Sequence, residues 1–329
     1  MDLIHKFLNI VSPIVTTILF IFVLPVIYVS RLLRSCSASS YPKELAGKVV
    51  LITGASSGIG ENLAYEYAKH GACLALVARR EDLLVAVAEK AKELGSPDAI
   101  VIKADVSKLE DCKRFVNETI SHFGKLDCLI NNAGIATYGL FEDKDQGAGG
   151  IKECVATMDI NFWGSVNATH FALPHLRKTK GRIIVVNSCA GWLNAPRMNI
   201  YNASKAAQQS FFETLRIELG SDIGITIVTL GVVKTAMAND DDLIKTNLEW
   251  MPMKSVEGCV KAIADGARRG DEYVVEPKWI DTVILWVMLL PELSNLGRRI
   301  MMTTGQETKL QKLISKNNCS FQSHNVKQR

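Results

Sequence analysis

The 329 residues contain no Cys-x-x-Cys pair and no cysteine or histidine spacing suited to a metal ion. The eight cysteines, Cys36, Cys73, Cys112, Cys128, Cys154, Cys189, Cys259 and Cys319, therefore point to no zinc site. Several fall in apolar strand-like runs, as Cys73 does in Ala72-Cys-Leu-Ala-Leu-Val77, and read as buried free thiols of a reducing compartment. A dense basic stripe is also missing: the net charge is only +4 and is spread along the chain, which sets nucleic acid aside as a partner. No internal repeat or low-complexity tract argues for a solenoid or a disordered chain. Asn-x-Ser/Thr triplets begin at Asn117, Asn167, Asn202 and Asn318, but they arise readily by chance and mean nothing in the cytosol. With 48% hydrophobic and 22% charged residues, the chain can bury one large α/β core, in a domain of roughly 250 residues.

Charge is absent altogether from Phe7 to Ser30, where Leu, Ile, Val and Phe dominate, and this stretch is long enough to cross a bilayer. A cleavable signal would have a shorter apolar stretch ending in small residues, whereas this one runs into Arg31-Leu-Leu-Arg34. Pro13 and Pro25 leave two shapes open: a kinked spanning helix, or a hairpin returning both ends to one aqueous side, as the monolayer of an oil droplet requires. Arg31, Arg34 and Lys43 lie on the domain side and only Lys6 and the amino terminus on the other, so the domain is expected to face the cytosol. The division that follows is an anchor over 1–40, a catalytic domain over 41–290 and a carboxyl-terminal extension over 291–329, whose polar end from Lys316 reads as a frayed tail.

Strand-like and helix-like stretches then alternate, the pattern of a doubly wound parallel sheet with helices on both faces. Strands are expected near 49–53, 72–77, 98–103, 127–131, 182–187, 225–230 and 272–275, and helices over 60–70, 82–94, 108–123, 151–178, 200–219 and 255–268.

The first strand ends in Thr53-Gly54-Ala55-Ser56-Ser57-Gly58-Ile59-Gly60, directly before an amphipathic helix. Glycines there tighten the turn and let a pyrophosphate approach backbone N–H groups at the positive end of the helix. The second strand ends in Arg79-Arg80, where an NAD-preferring protein usually carries an acidic residue for the ribose hydroxyls. Guanidinium groups suit a 2′-phosphate, so the expected cofactor is NADP(H). Asp105 and Val106, after the third strand, are placed to approach the adenine, and Asn132-Ala133-Gly134 closes the fourth strand against the cofactor.

Tyr201 and Lys205, four residues apart at the start of a helix, share one face. A phenol titrates near pH 10 and is a poor base at neutrality, but an adjacent ammonium and an oxidised nicotinamide stabilise its phenolate. Tyr201 can then exchange a proton with a substrate oxygen while hydride moves at the neighbouring carbon. Ser188, at a strand end, can donate a hydrogen bond to that oxygen, and Asn161 can hold a water against Lys205 and so continue a proton relay.

Taken together, the glycine loop, the Asn131-Asn-Ala-Gly134 turn, Asn161, Ser188 and Tyr201-Asn-Ala-Ser-Lys205 resemble the short-chain dehydrogenase/reductase family over roughly residues 46–275. Leu63-Ala-Tyr-Glu-Tyr-Ala-Lys69, Ala75-Leu-Val-Ala-Arg-Arg-Glu81 and Phe212-Glu-Thr-Leu-Arg-Ile-Glu-Leu-Gly-Ser221 resemble its 11-beta-hydroxysteroid dehydrogenase-like branch, and within it the plant oil-body steroleosins. The resemblance implies a Rossmann-type seven-stranded sheet, a tetrad of Asn161, Ser188, Tyr201 and Lys205, nicotinamide contacts from Val233 and Thr235, and a homodimer. It further implies NADP-dependent oxidoreduction of a hydroxysteroid or sterol at a lipid droplet or the endoplasmic reticulum membrane. Leu230-Gly231 stands where the family commonly has Pro-Gly, which is expected to loosen that turn, and Asn187 stands where a second serine is common. A substrate lid is expected between Ala236 and Ser255, with an acidic run Asp240-Asp-Asp242 and an apolar Trp250-Met-Pro-Met253. Trp279 to Pro291 reads equally as a core or an interfacial segment. Reduction of retinal-like or long-chain keto lipids, and a droplet-coat role with a residual dehydrogenase fold, are the alternatives.

Overall fold

The computed structural model describes residues 2–37, 45–142, 150–235, 237, 246 and 251–302. The acidic run and Trp250 of the expected lid, and the tail from Lys316, lie outside them. The chain divides into two units, Met1–Lys43 and Glu44–Arg329.

In the first unit, helix α1 (Asp2–Ser37) runs for 36 residues through both Pro13 and Pro25. The hairpin alternative is therefore not the form described. Each proline deletes one backbone hydrogen bond, and an apolar helix with all its other bonds intact keeps its course. Ile4–Val26 is long and apolar enough to cross a membrane. The Thr17 hydroxyl donates back to the Pro13 carbonyl at 2.8 Å, which hides a polar group that lipid would not solvate.

The second unit is built on seven parallel strands in the order β3-β2-β1-β4-β5-β6-β7: β1 (Val49–Thr53), β2 (Cys73–Ala78), β3 (Ala99–Lys103), β4 (Cys128–Asn131), β5 (Arg182–Ser188), β6 (Gly224–Leu230) and β7 (Tyr273–Glu276). Side chains alternate across the sheet with period two, so Val50 and Ile52 of β1 enter one core cluster and Val49 and Leu51 the other. The first cluster is covered by α2 (Gly58–Lys69), α3 (Glu81–Glu93) and a later helix, Val256–Arg269. The second is covered by α4 (Leu109–Phe123) and by two further helices, Gly164–Thr179 and Asn199–Leu219. Burial on both faces is why the strands read as unbroken apolar runs in the sequence.

The single helix expected over 151–178 is interrupted. Helix α5 (Gly150–Met158) passes into a π-helical turn, Asp159–Trp163, before α6 (Gly164–Thr179) resumes. After β5 come a one-turn helix α7 (Ala190–Leu193) and then α8 (Asn199–Leu219); after β6 come α9 (Val256–Arg269), β7 and α10 (Trp279–Leu289). A further helix α11 (Pro291–Met302) bends away from α10 by 112°. Both readings of the Trp279–Pro291 stretch have a share in α10: Ile280 and Ile284 are buried against Cys189, while Trp286, Met288 and Leu289 are exposed.

The six cysteines described with their surroundings are free thiols, and all but Cys73 are buried. Burial pushes the Cys112 and Cys128 thiols up to about 12, so they act as small apolar core residues.

Candidate active site

The order of the strands reverses between β1 and β4, and ligands of doubly wound sheets bind at the carboxyl ends of the strands flanking such a reversal. One cleft of about 950 Å³ opens there, lined by the glycine loop, the end of β2, the β4 turn, Ser188, Tyr201, Lys205, Val233 and Thr235.

The glycine loop is held rigidly. Gly54 has φ 67° and Gly58 φ 61°, left-handed values that glycine adopts without strain. A Cβ on Gly60 would strike the Gly54 carbonyl and the Asn132 side chain, and one on Gly54 would lie 2.8 Å from the Ala133 Cα. The Asn132 amide donates to the carbonyls of Thr53 (2.9 Å) and Gly54 (3.2 Å). The Thr53 hydroxyl accepts from the backbone N–H groups of Asn132 (3.1 Å) and Ala133 (3.2 Å). The β4 turn is thus stitched to the glycine loop, a role for Thr53 that sequence reading missed. Ser57 sits at the N-cap of α2 in extended conformation without a side-chain cap. What results is a bare-backbone cradle at a positive helix end, which fits a dinucleotide pyrophosphate.

Arg80 precedes α3 and turns its guanidinium onto the loop, donating to Ser56 Oγ at 2.9 Å and Ser57 Oγ at 2.6 Å. Arg79 is exposed on the cleft wall beside it. Asp105 lines the cleft with its carboxylate accepting from the Ser107 N–H (3.0 Å) and hydroxyl (2.8 Å). Val106 also lines it but is buried, so close to Gly164 that a Cβ there would meet its Cγ2 at 2.9 Å. Ile59 and Ala133 complete the wall, and Thr235 reaches the loop, its Cγ2 lying 3.6 Å from where a Gly58 Cβ would stand. The turn after β6 is held by backbone bonds. The Leu230 carbonyl accepts from Cys189 N, Gly231 N donates to the Glu276 carbonyl, and Val233 bridges to Lys254.

Asn161 lies in the π turn and is fully buried. Its Oδ1 accepts from Ile135 N at 2.8 Å, and its Nδ2 donates to the Ile135 carbonyl (2.9 Å) and Ser204 Oγ (2.9 Å). The side chain therefore locks the segment after Gly134 to α8, and a π turn is a common way to aim one residue into a site. Ser188 ends β5 opposite Leu230 of β6, accepts from Ala190 N at 3.1 Å, and lies on the same cleft wall as Tyr201, close enough to pull its phenol down.

Tyr201 and Lys205 occupy successive turns of α8. Burial pushes the phenol up to about 12, with the Ser188 hydrogen bond pulling the other way. In the chain alone the desolvation of the phenolate outweighs its neighbours. Burial also lowers the Lys205 ammonium to about 8. Lys205 Nζ donates to the Val186 carbonyl at 3.0 Å and to Gln208 Oε1 at 3.1 Å. The carboxamide of Gln208 joins Lys205 to the main-chain carbonyl of Asn161.

A neutral phenol and a serine hydroxyl set side by side at the mouth of a dinucleotide cradle can polarise a carbonyl oxygen and protonate it, or run the reverse. A bound nicotinamide dinucleotide supplies the hydride for such a reaction.

Fold and site thus define a dinucleotide-dependent oxidoreductase, and the model of the short chain dehydrogenase family matches residues 48–243. The chain belongs to the short-chain dehydrogenase/reductase family. A relative from Arabidopsis thaliana, named 11-beta-hydroxysteroid dehydrogenase 1A, is 47% identical over 330 residues, covering 95% of this chain and 93% of the relative. The 11-beta-hydroxysteroid dehydrogenase A of Sesamum indicum is 46% identical, covering 92% of this chain and 88% of its own. A short-chain dehydrogenase/reductase of Burkholderia phymatum, solved in complex with NAD, shares the fold with a TM-score of 0.68 at 24% identity, over 76% of this chain and 96% of its own.

Proposed function

We propose that the chain is an NADP(H)-dependent oxidoreductase that interconverts a hydroxyl and a ketone on a hydroxysteroid or sterol. The observation that carries this reading is a single cleft that joins the Arg80, Ser56 and Ser57 cluster to the Tyr201 and Ser188 pair and continues into an apolar wall. That wall is made by Leu193, Met198, Trp279, Val283, Val287 and Met301, which suits a rigid, lipophilic ligand with one polar oxygen. The enzyme works from a membrane or lipid-droplet surface engaged through residues 7–30, with its domain in the cytosol and a second copy of the chain as partner. Supporting the cofactor choice, a guanidinium and two hydroxyls gather at the end of β2, donors that a 2′-phosphate needs and two free ribose hydroxyls do not.

The test is a turnover screen with NADPH and NADH across sterol, steroid and keto-lipid panels in detergent. NADPH-driven reduction of sterol or steroid ketones is the expected result; binding of NADPH with no reduction of any lipid carbonyl would shift the reading to a droplet-coat protein. Arg80→Ala should weaken NADPH at least about tenfold and leave NADH unchanged, since charge-assisted hydrogen bonds contribute about 1.5–3 kcal/mol. Equal losses for the two cofactors would remove the 2′-phosphate argument. Protease added to sealed microsomes or isolated droplets should digest the domain, and glycans on Asn117 or Asn167 would instead place it in a lumen.

A further inference from the structure

Gln208 stands one turn beyond Lys205 on α8 and is completely buried. A carboxamide so far from water is costly unless its valences are filled, and here they are. Its Oε1 accepts from Lys205 Nζ at 3.1 Å; its Nε2 donates to the main-chain carbonyl of Asn161 at 3.0 Å and to Ser165 Oγ at 2.8 Å. The Ser165 hydroxyl donates to the same Asn161 carbonyl at 3.0 Å. A carbonyl oxygen has two lone pairs, and both of Asn161's are taken.

The consequence is chemical. A water at this point would pass a proton on by giving one and taking another. A carboxamide accepts on one atom and donates from another, but at neutral pH it neither releases nor gains a proton, so it transmits position and not charge. We infer that Gln208 is a positioning residue for Lys205, holding its ammonium against the Val186 carbonyl and tying it to the main-chain carbonyl of Asn161. The inference rests on the proposed roles of Tyr201 and Lys205.

Two variants test it. Gln208→Leu keeps the bulk and removes the acceptor, which disfavours the charged lysine; Gln208→Glu puts a carboxylate there and favours it. The readout that needs no turnover is the pH at which the stability of the cofactor-free chain begins to climb as Lys205 loses its proton, near pH 8 in the wild type. It should move down in the leucine variant and up in the glutamate variant, by about one pH unit each. Tyr201 and Cys189, the titratable groups beside the pair, are raised from 10.0 to about 12 and from 9.0 to about 11, so their opposing effects begin at pH 10 and pH 9, and the shift is read as the difference between each variant and the wild type. Turnover of the leucine variant should fall at least tenfold, through kcat more than KM. An unmoved onset in both variants overturns the inference, and if the leucine variant does not fold, the glutamate variant decides alone. A failure of the proposed function would appear elsewhere, as wild-type turnover in Tyr201→Phe, with the onset measurement unaffected.

Discussion

Replacing Tyr201 with phenylalanine should lower turnover by about 10²–10⁴-fold while NADPH binding survives. The substitution keeps the ring, and with it most of the packing against Met198, and deletes only the hydroxyl. Burial raises that hydroxyl to about 12 in the chain alone, so there it keeps its proton at physiological pH. Ketone reduction, which needs a proton donor, should therefore run well at neutrality. Alcohol oxidation needs the phenolate and should accelerate as pH rises. Single-turnover rates in both directions, with NADPH affinity by fluorescence titration, check the prediction. Wild-type rates in the purified variant would falsify the assignment of Tyr201.

The second large effect concerns stability. An unfolded lysine titrates at 10.5, and burial lowers Lys205 to about 8 in the folded chain. Below pH 8 both states carry the proton and the cost of burying the charge is fully present. Between the two values the unfolded state holds more of this proton, so the Lys205 contribution to stability should climb with pH and level off above 10.5. The buried thiols of Cys112, Cys128, Cys189 and Cys259, raised from 9.0, work against it above pH 9, in the wild type and in Lys205→Met alike. The climb is about 3 kcal/mol at most, at 1.36 kcal/mol per pKa unit. Tyr201 contributes with the opposite sign, and only above pH 10, where its unfolded form begins to ionise. Urea unfolding from pH 7.5 to 10.5, compared with Lys205→Met, isolates the effect. Parallel curves for the two proteins would mean that the ammonium is far better solvated than its surroundings indicate.

What the sequence made legible follows from periodicity. Strands buried on both faces are apolar throughout, and β1 begins and ends as expected while β2, β3 and β4 start one residue later. Amphipathic helices declare themselves equally well. The π turn at Asn161 did not, because one extra residue in a turn leaves the apolar spacing of the flanking helices almost intact. Within the site, short motifs were readable because glycines, a strand end and a helix start coincide in sequence. Contacts made at long range were not. Thr53 reaches Asn132 across 79 positions and Gln208 reaches the Asn161 carbonyl across 47. A glutamine beside the catalytic lysine looks, in the sequence, like any polar helix residue. The same holds after β6, where the turn is held by backbone partners on β7 and at Cys189, and neither is visible from the turn's own residues.

The stitching of the glycine loop to the β4 turn limits how cofactor preference can change by mutation. Gly54 and Gly60 touch backbone or the Asn132 amide, and Asn132 is itself spent on two loop carbonyls, so neither glycine could give way to a larger residue without dismantling its neighbour. The end of β2 is different: Arg79 and Arg80 are exposed, and the hydroxyls that Arg80 engages belong to side chains. Variation that swaps one dinucleotide for another is thereby channelled to the tip of a single strand, and a lineage could alter its redox currency there without reopening the part of the fold that grips the pyrophosphate.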